Sequence, residues 1–114
     1  MFFAGAPDIE LKQLTGSFPA TFRENKDTHP LFVLTTSPTG HYVCPCSTKG
    51  NPNHSRYIRS GCKFTGGRQK DTDEDSYLVE RYAFTLPLDQ RFSRKLIFVG
   101  IVPEECIEDR RRRT

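Results

Sequence analysis

The 114-residue chain has no tryptophan, a single methionine and no apolar run approaching 18 residues. The last absence excludes a transmembrane helix, which needs about 20 consecutive apolar residues. The opening Met1-Phe2-Phe3-Ala4-Gly5-Ala6-Pro7 lacks a basic n-region and a long enough h-region. No secretory signal is read there, and a cytoplasmic location is expected. No internal repeat is found, which excludes solenoids and propellers. Acidic side chains are missing throughout residues 49–70. What the chain does have is aromatic bulk: nine Phe and four Tyr, enough to build a core although only 35% of residues are hydrophobic. The length suits one domain, expected over residues 1–109, followed by a basic tail at 110–114.

The 17 basic and 14 acidic residues sum to +3, but they are not evenly spread. Residues 1–48 carry three basic and four acidic side chains, and residues 49–70 carry six basic and none acidic. Residues 71–109 carry four basic and ten acidic, and Arg110 to Arg113 add four more basic ones. The surplus therefore sits in the tail, and the domain itself is polarised rather than basic. In 49–70 the cations Lys49, Arg56, Arg59, Lys63, Arg68 and Lys70 are interleaved with Tyr57 and Phe64. Cations that hold phosphates, beside aromatic faces that stack unpaired bases, suit a single-stranded nucleic acid. A solvated loop balanced by Asp71, Asp73, Glu74 and Asp75 is the plainer alternative.

Four cysteines, Cys44, Cys46, Cys62 and Cys106, in a chain with no signal segment favour reduced thiols. Neighbours at i and i+2 on a strand point the same way, about 6–7 Å apart, which disfavours a Cys44–Cys46 disulfide. A zinc site on Cys44, Cys46, Cys62 and His54 would use a C-x-C spacing tighter than usual, with no second close pair. Buried apolar thiols are the expectation.

Along the chain, Ile9, Leu11 and Leu14 nearly share one face of an alternating stretch, so residues 8–14 read as a half-buried strand. Residues 15–30 read as a long loop. Leu31 to Thr36 form an apolar, β-prone run, Ser37-Pro38-Thr39-Gly40 a turn, and His41 to Cys46 the return strand. Pro45 requires that strand to be an edge or bulged at that point. Residues 57–64 suggest a short strand, 77–86 a strand ended by Pro87, and 95–102 a last strand. Pro103-Glu104-Glu105-Cys106 places Pro and acids where a short helical turn begins. The fold class is therefore all-β, five to six short strands in a small barrel that hides its sheet edges.

Several stretches in order carry a resemblance. They are Asp8-Ile9, Glu24-Asn-Lys-Asp-Thr-His29-Pro30 with Leu-Phe-Val-Leu after it, and Val43-Cys-Pro45-Cys-Ser47-Thr48-Lys49. Ser76-Tyr-Leu-Val-Glu80-Arg81 follows, then Lys95-Leu-Ile-Phe-Val-Gly and Pro103-Glu-Glu-Cys. Over about residues 8–107 the chain resembles the MazF/PemK (Kid-like) toxins of type II toxin–antitoxin systems. The resemblance implies an SH3-like barrel and a homodimer. It also implies metal-independent cleavage of single-stranded RNA without a cofactor, and an antitoxin that covers the RNA site. His29 stands at the family's catalytic Arg, and Ser47, with Thr48 beside it, at its catalytic Thr. Arg81 and Tyr82 stand where the family has Gln-x-Arg.

Metal-free RNA cleavage needs a base for the 2′-OH proton, a donor or cation for the phosphate charge, and an acid for the leaving 5′ oxygen. With an unperturbed pKa of about 6.5, His29 can serve as acid or base near neutrality. Ser47 and Thr48 can donate hydrogen bonds to phosphate. Lys49, Arg56 and Arg59 can supply charge, with Glu24, Glu80 and Arg81 completing the expected substrate-binding set. Glu24 is also a candidate to orient His29. The alternative is a barrel without catalysis that binds RNA or a protein partner.

Overall fold

The structure, a computed structural model, describes residues 1–16, 18, 28–48, 55–66, 74–87, 92 and 96–109. Of the residues singled out above, Glu24, Lys49, His54, Arg68, Lys70, Asp71, Asp73, Lys95 and the 110–114 tail lie outside that set. The described chain is mostly strand, curled into one antiparallel, barrel-like sheet, as expected from the sequence. Among the described residues the strands number eight rather than five or six: β1 (Phe2–Pro7), β2 (Thr28–Ser37), β3 (Gly40–Ser47), β4 (Arg56–Ile58), β5 (Ser76–Leu78), β6 (Phe84–Pro87), β7 (Ile97–Gly100) and β8 (Ile107–Asp109). Their order across the sheet is β7-β1-β2-β3-β5-β4-β8, with β6 also paired to β3. β7 and β8 lie at opposite ends of this order, yet only a short link with a 3₁₀ turn at Glu104–Cys106 joins them. The sheet must therefore curl until its edges approach. A bridge between Thr65 and Ile101, with backbone bonds in both directions, ties the segment after β4 to the end of β7.

The β2–β3 hairpin is the spine, paired from Ser37↔Gly40 to Leu31↔Pro45 with a one-residue shift in β2 between Val33 and Thr35. β2 starts at Thr28, inside the stretch expected to be loop, and Pro30 sits opposite an irregularity in β1 between Phe3 and Ala6. On its other side, β3 changes partner. Gly40 to Val43 pair with β6, whereas Cys46 and Ser47 pair with β5. From Val43↔Phe84 to Cys46↔Leu78, three steps on β3 correspond to six on the opposing chain. Three residues are therefore looped out, and they form the 3₁₀ turn Glu80–Tyr82. This splits the single strand expected over 77–86. Pro45 lies in the gap. Within a strand a residue's nitrogen and carbonyl face the same side, and the Pro45 carbonyl accepts the Val79 N–H on the gap side. The missing N–H of proline thus falls where no ladder bond is needed.

Residues 8–14, expected to be a strand, belong to a helix, α1 (Asp8–Thr15). Only Leu11 on its apolar positions is fully buried, while Ile9 and Leu14 are exposed. Asp8 and Glu10 in the first turn favour the positive end of the helix dipole, and Gly16 closes it in the left-handed region at φ 85°.

Two buried clusters lie on the two faces of the curled sheet, since they take alternate residues of β2 and β3. One gathers Ala6, Leu11, Phe18, Leu31, Val33, Val43 and Val79. The other contains Phe2, Phe32, Ile58, Phe64, Leu78 and all four cysteines. Cys44 and Cys46 are buried free thiols, as expected. Cys62 and Cys106, expected to be reduced, form a disulfide across a sequence separation of 44. Their approach depends on the β4–β8 pairing, a long-range contact that spacing cannot reveal. Phe64 is 3% exposed and packs edge-tilted against Phe2, so it belongs to the core and not to a nucleic-acid surface.

Candidate functional site

The start of α1 places Asp8 under β2. Its side chain is 2% exposed, and a buried carboxylate needs a strong hydrogen-bonding partner. That partner is His29, whose Nδ1 lies 2.5 Å from Asp8 Oδ1. His29 reaches it because the β1–β2 register sets it opposite Ala6, two residues before Asp8. An ionised carboxylate only accepts, so Nδ1 carries the proton and donates it. The other ring nitrogen, Nε2, is then the one that can exchange a proton with a ligand. The His29 side chain is 26% exposed, so the ring is held from below and reachable from outside. A carboxylate behind an imidazole fixes its tautomer and stabilises the imidazolium that forms when it takes a proton.

From His29 a line of contacts runs through buried Phe18 and half-buried Tyr82 to exposed Arg81. The Phe18 ring meets the imidazole edge-on, with centroids 5.0 Å apart, and Tyr82 packs against Phe18 at 5.7 Å. The Arg81 guanidinium lies over the Tyr82 ring, 4.9 Å from its centroid. Beside it, Glu80 takes two hydrogen bonds from Arg56: Nε donates to Oε2 at 2.9 Å and an Nη donates to Oε1. The Glu80 carboxylate holds the Arg56 guanidinium above its ordinary pKa, chiefly through these hydrogen bonds. The looped-out turn Glu80–Tyr82 therefore bridges the Asp8–His29 couple to β4.

Of the residues expected from sequence, His29, Arg81, Glu80 and Arg56 fall along this line. Glu80 and Arg56 are paired to each other, so neither presents an open charge. Ser47 ends β3 and pairs with Tyr77 of β5. Carrying the Leu31↔Pro45 register two residues further would set Ser47 opposite His29, but the β2–β3 ladder stops at Pro45. Thr48, just past β3, is exposed. Arg59 is exposed beyond β4, where its N–H donates to the Cys106 carbonyl. The sequence reading missed Asp8, Phe18, Tyr82 and Tyr77. A signal for Asp8 was present: an acid directly after Pro7, at the start of a helix that was read as a strand.

The zinc reading loses a ligand, since the Cys62 sulfur is bonded to Cys106. Among the described residues no group of three or more His, Cys, Asp or Glu could hold a metal. Burial pushes the Cys46 thiol well up from its usual pKa, with hydrogen bonding to Cys44 adding to the shift and Ser76 opposing it. Such a thiol is a packing group rather than a nucleophile. No helix among the described residues is long and apolar enough to cross a membrane. Compared with known proteins, the chain matches no family model, no curated protein and no solved structure.

Proposed function

We propose that this protein is a metal-independent endoribonuclease acting on single-stranded RNA, with His29 as its acid–base residue. The observation that carries the reading is the buried Asp8 carboxylate on His29 Nδ1. In the proposed reaction, Nε2 of His29 takes the 2′-OH proton as the 2′ oxygen attacks the phosphorus. The bond to the 5′ oxygen breaks, and that oxygen takes a proton from water while the His29 imidazolium returns its own to the solvent, leaving a cyclic phosphate and a free 5′-OH. Arg81, with Ser47 and Thr48 at the end of β3, supplies charge and hydrogen bonds to the phosphate. Following the resemblance to MazF/PemK toxins, the active species is a homodimer, and an antitoxin covers the RNA site.

The test is incubation of the purified protein with a long unstructured RNA in the presence of EDTA. We expect cleavage with cyclic-phosphate ends, and a loss of about 100-fold or more in rate for His29→Ala, the usual weight of one acid–base group. Asp8→Asn keeps the shape but weakens the support of the imidazolium, so its rate falls while RNA binding holds. An RNA left intact by the parent protein would sink the reading. One observation favours a second reading, a binding barrel without catalysis: Arg56 and Glu80, both expected to contact substrate, satisfy each other. RNA binding that weakens with salt, with no cleavage, would support that alternative.

A further inference from the structure

We infer that the outward face of β3, β5, β4 and β8 is a stacking platform for unpaired bases, built on Tyr57 and Tyr77. The inference takes its ligand class from the RNA reading above and names how that ligand is held. Residues directly opposite in an antiparallel ladder share a face. Ser47 pairs with Tyr77, Tyr77 with Tyr57, and Tyr57 with Glu108, so these four side chains form one row across four strands. The opposite face carries Cys46, Leu78, Ile58 and Ser76, all buried. The row thus faces away from the cluster that holds the cysteines, on the face that carries Val43 further along β3, and both tyrosines are half-buried rather than enclosed.

Their rings are 5.3 Å apart between centroids and inclined at 40°. Two adjacent phenol rings on a strand surface give flat, sequence-tolerant surfaces for successive bases. Arg59, two residues beyond Tyr57, continues the same alternation and is exposed, which places a cation where the backbone of a stacked strand would pass. Asp75 accepts the Ser60 N–H at 2.9 Å, and the β4–β5 register carried one pair further sets it opposite Arg59, so the cation at this edge is accompanied by a carboxylate. Glu108 at the other end of the row repels phosphate, which sets the path of the strand along the Arg59 side. The row also ends on Ser47, one of the residues placed at the phosphate in the proposed reaction. Base stacking and the reacting end would then share one strand of RNA.

The experiment measures fluorescence anisotropy of a labelled twelve-nucleotide 2′-O-methyl RNA of mixed sequence, which has no 2′-OH to attack and so separates binding from cleavage. Tyr57→Leu and Tyr77→Leu should each weaken binding by about fivefold or more, the value of one base–aromatic stack. Tyr57→Phe and Tyr77→Phe should bind like the parent, as should Tyr42→Leu, a half-exposed tyrosine on another part of β3. Thermal unfolding of each variant checks that the fold is kept. The platform is overturned if the double Leu variant binds as tightly as the parent, or if the parent does not bind the single strand. Preference for the matched duplex would also overturn it. So would Leu variants that bind RNA normally but lose self-association, which would assign the face to a protein contact. Reduced binding by the Leu variants, in a parent that does not cleave RNA, would uphold the platform and reject only the nuclease.

Discussion

Breaking the Cys62–Cys106 disulfide should remove a large share of the protein's stability. The bond links the segment after β4 to the 3₁₀ turn before β8, closing a loop with a sequence separation of 44. In the chain-entropy description, a cross-link of that span lowers the entropy of the unfolded chain by an amount worth about 4 kcal/mol at 25 °C. A domain of this size has only about 5–15 kcal/mol in hand. With a urea slope of about 2 kcal/mol/M, the unfolding midpoint of the reduced protein should fall by roughly 2 M. The assay is urea unfolding followed by far-UV circular dichroism, for the oxidised parent, the same protein with excess dithiothreitol, and Cys62→Ala/Cys106→Ala. The double variant separates the cross-link from the thiol: it should unfold near the reduced parent, a little lower because two core sulfurs are gone. A thiol count under denaturing, non-reducing conditions should find two of the four cysteines reactive. Four reactive thiols, or identical midpoints with and without reductant, would refute the reasoning.

Two further expectations concern the core. In the native state Cys46 should resist alkylation at pH 8, because burial keeps its thiol protonated and only the thiolate reacts; mass spectrometry should show its modification only as the protein unfolds, and rapid labelling of the folded protein would contradict this. Gly40→Ala should lower stability by about 1–3 kcal/mol, since a Cβ there would lie 2.7 Å from the Leu86 carbonyl oxygen and 3.1 Å from Pro87 Cα, both backbone atoms of β6; an unchanged thermal midpoint would mean that β6 is free to yield.

The hairpin of β2 and β3 was legible because its signals are local: a β-branched and aromatic run, a Ser-Pro-Thr-Gly turn and a return strand. The constraint that Pro45 places on β3 was legible too, as a chemical requirement, although its fulfilment through a change of partner was not. The helix at Asp8–Thr15 is hidden in the sequence because a single buried apolar residue, Leu11, gives little periodicity, and Ile9-x-Leu11 imitates strand alternation. β1 carries an irregular register and Gly5 at φ 94°, so its alternation is broken as well. The candidate site was half legible. His29 stands out as a titratable ring beside a proline, but its partner Asp8 lies 21 residues earlier and meets it only when β1 and β2 pair. Arg56 and Glu80, 24 residues apart, were each read as ligands for a substrate and instead found one another.

The placement of β1 also dictates when this protein can finish folding. β1 is an inner strand: Phe2 pairs with Phe32 on one side and with Gly100 on the other. During synthesis, the hairpin and β1 can assemble early, but the far edge of β1 stays bare until β7 has left the ribosome. At about 5–20 residues per second, the roughly 50 residues between β3 and β7 take several seconds to make. Over that interval Phe2 and Phe3 border an open strand edge, the kind of surface that pairs with other chains. The nascent protein therefore passes through a window in which a chaperone is most useful, and a stall in translation between β3 and β7 would lengthen the time it is exposed to aggregation.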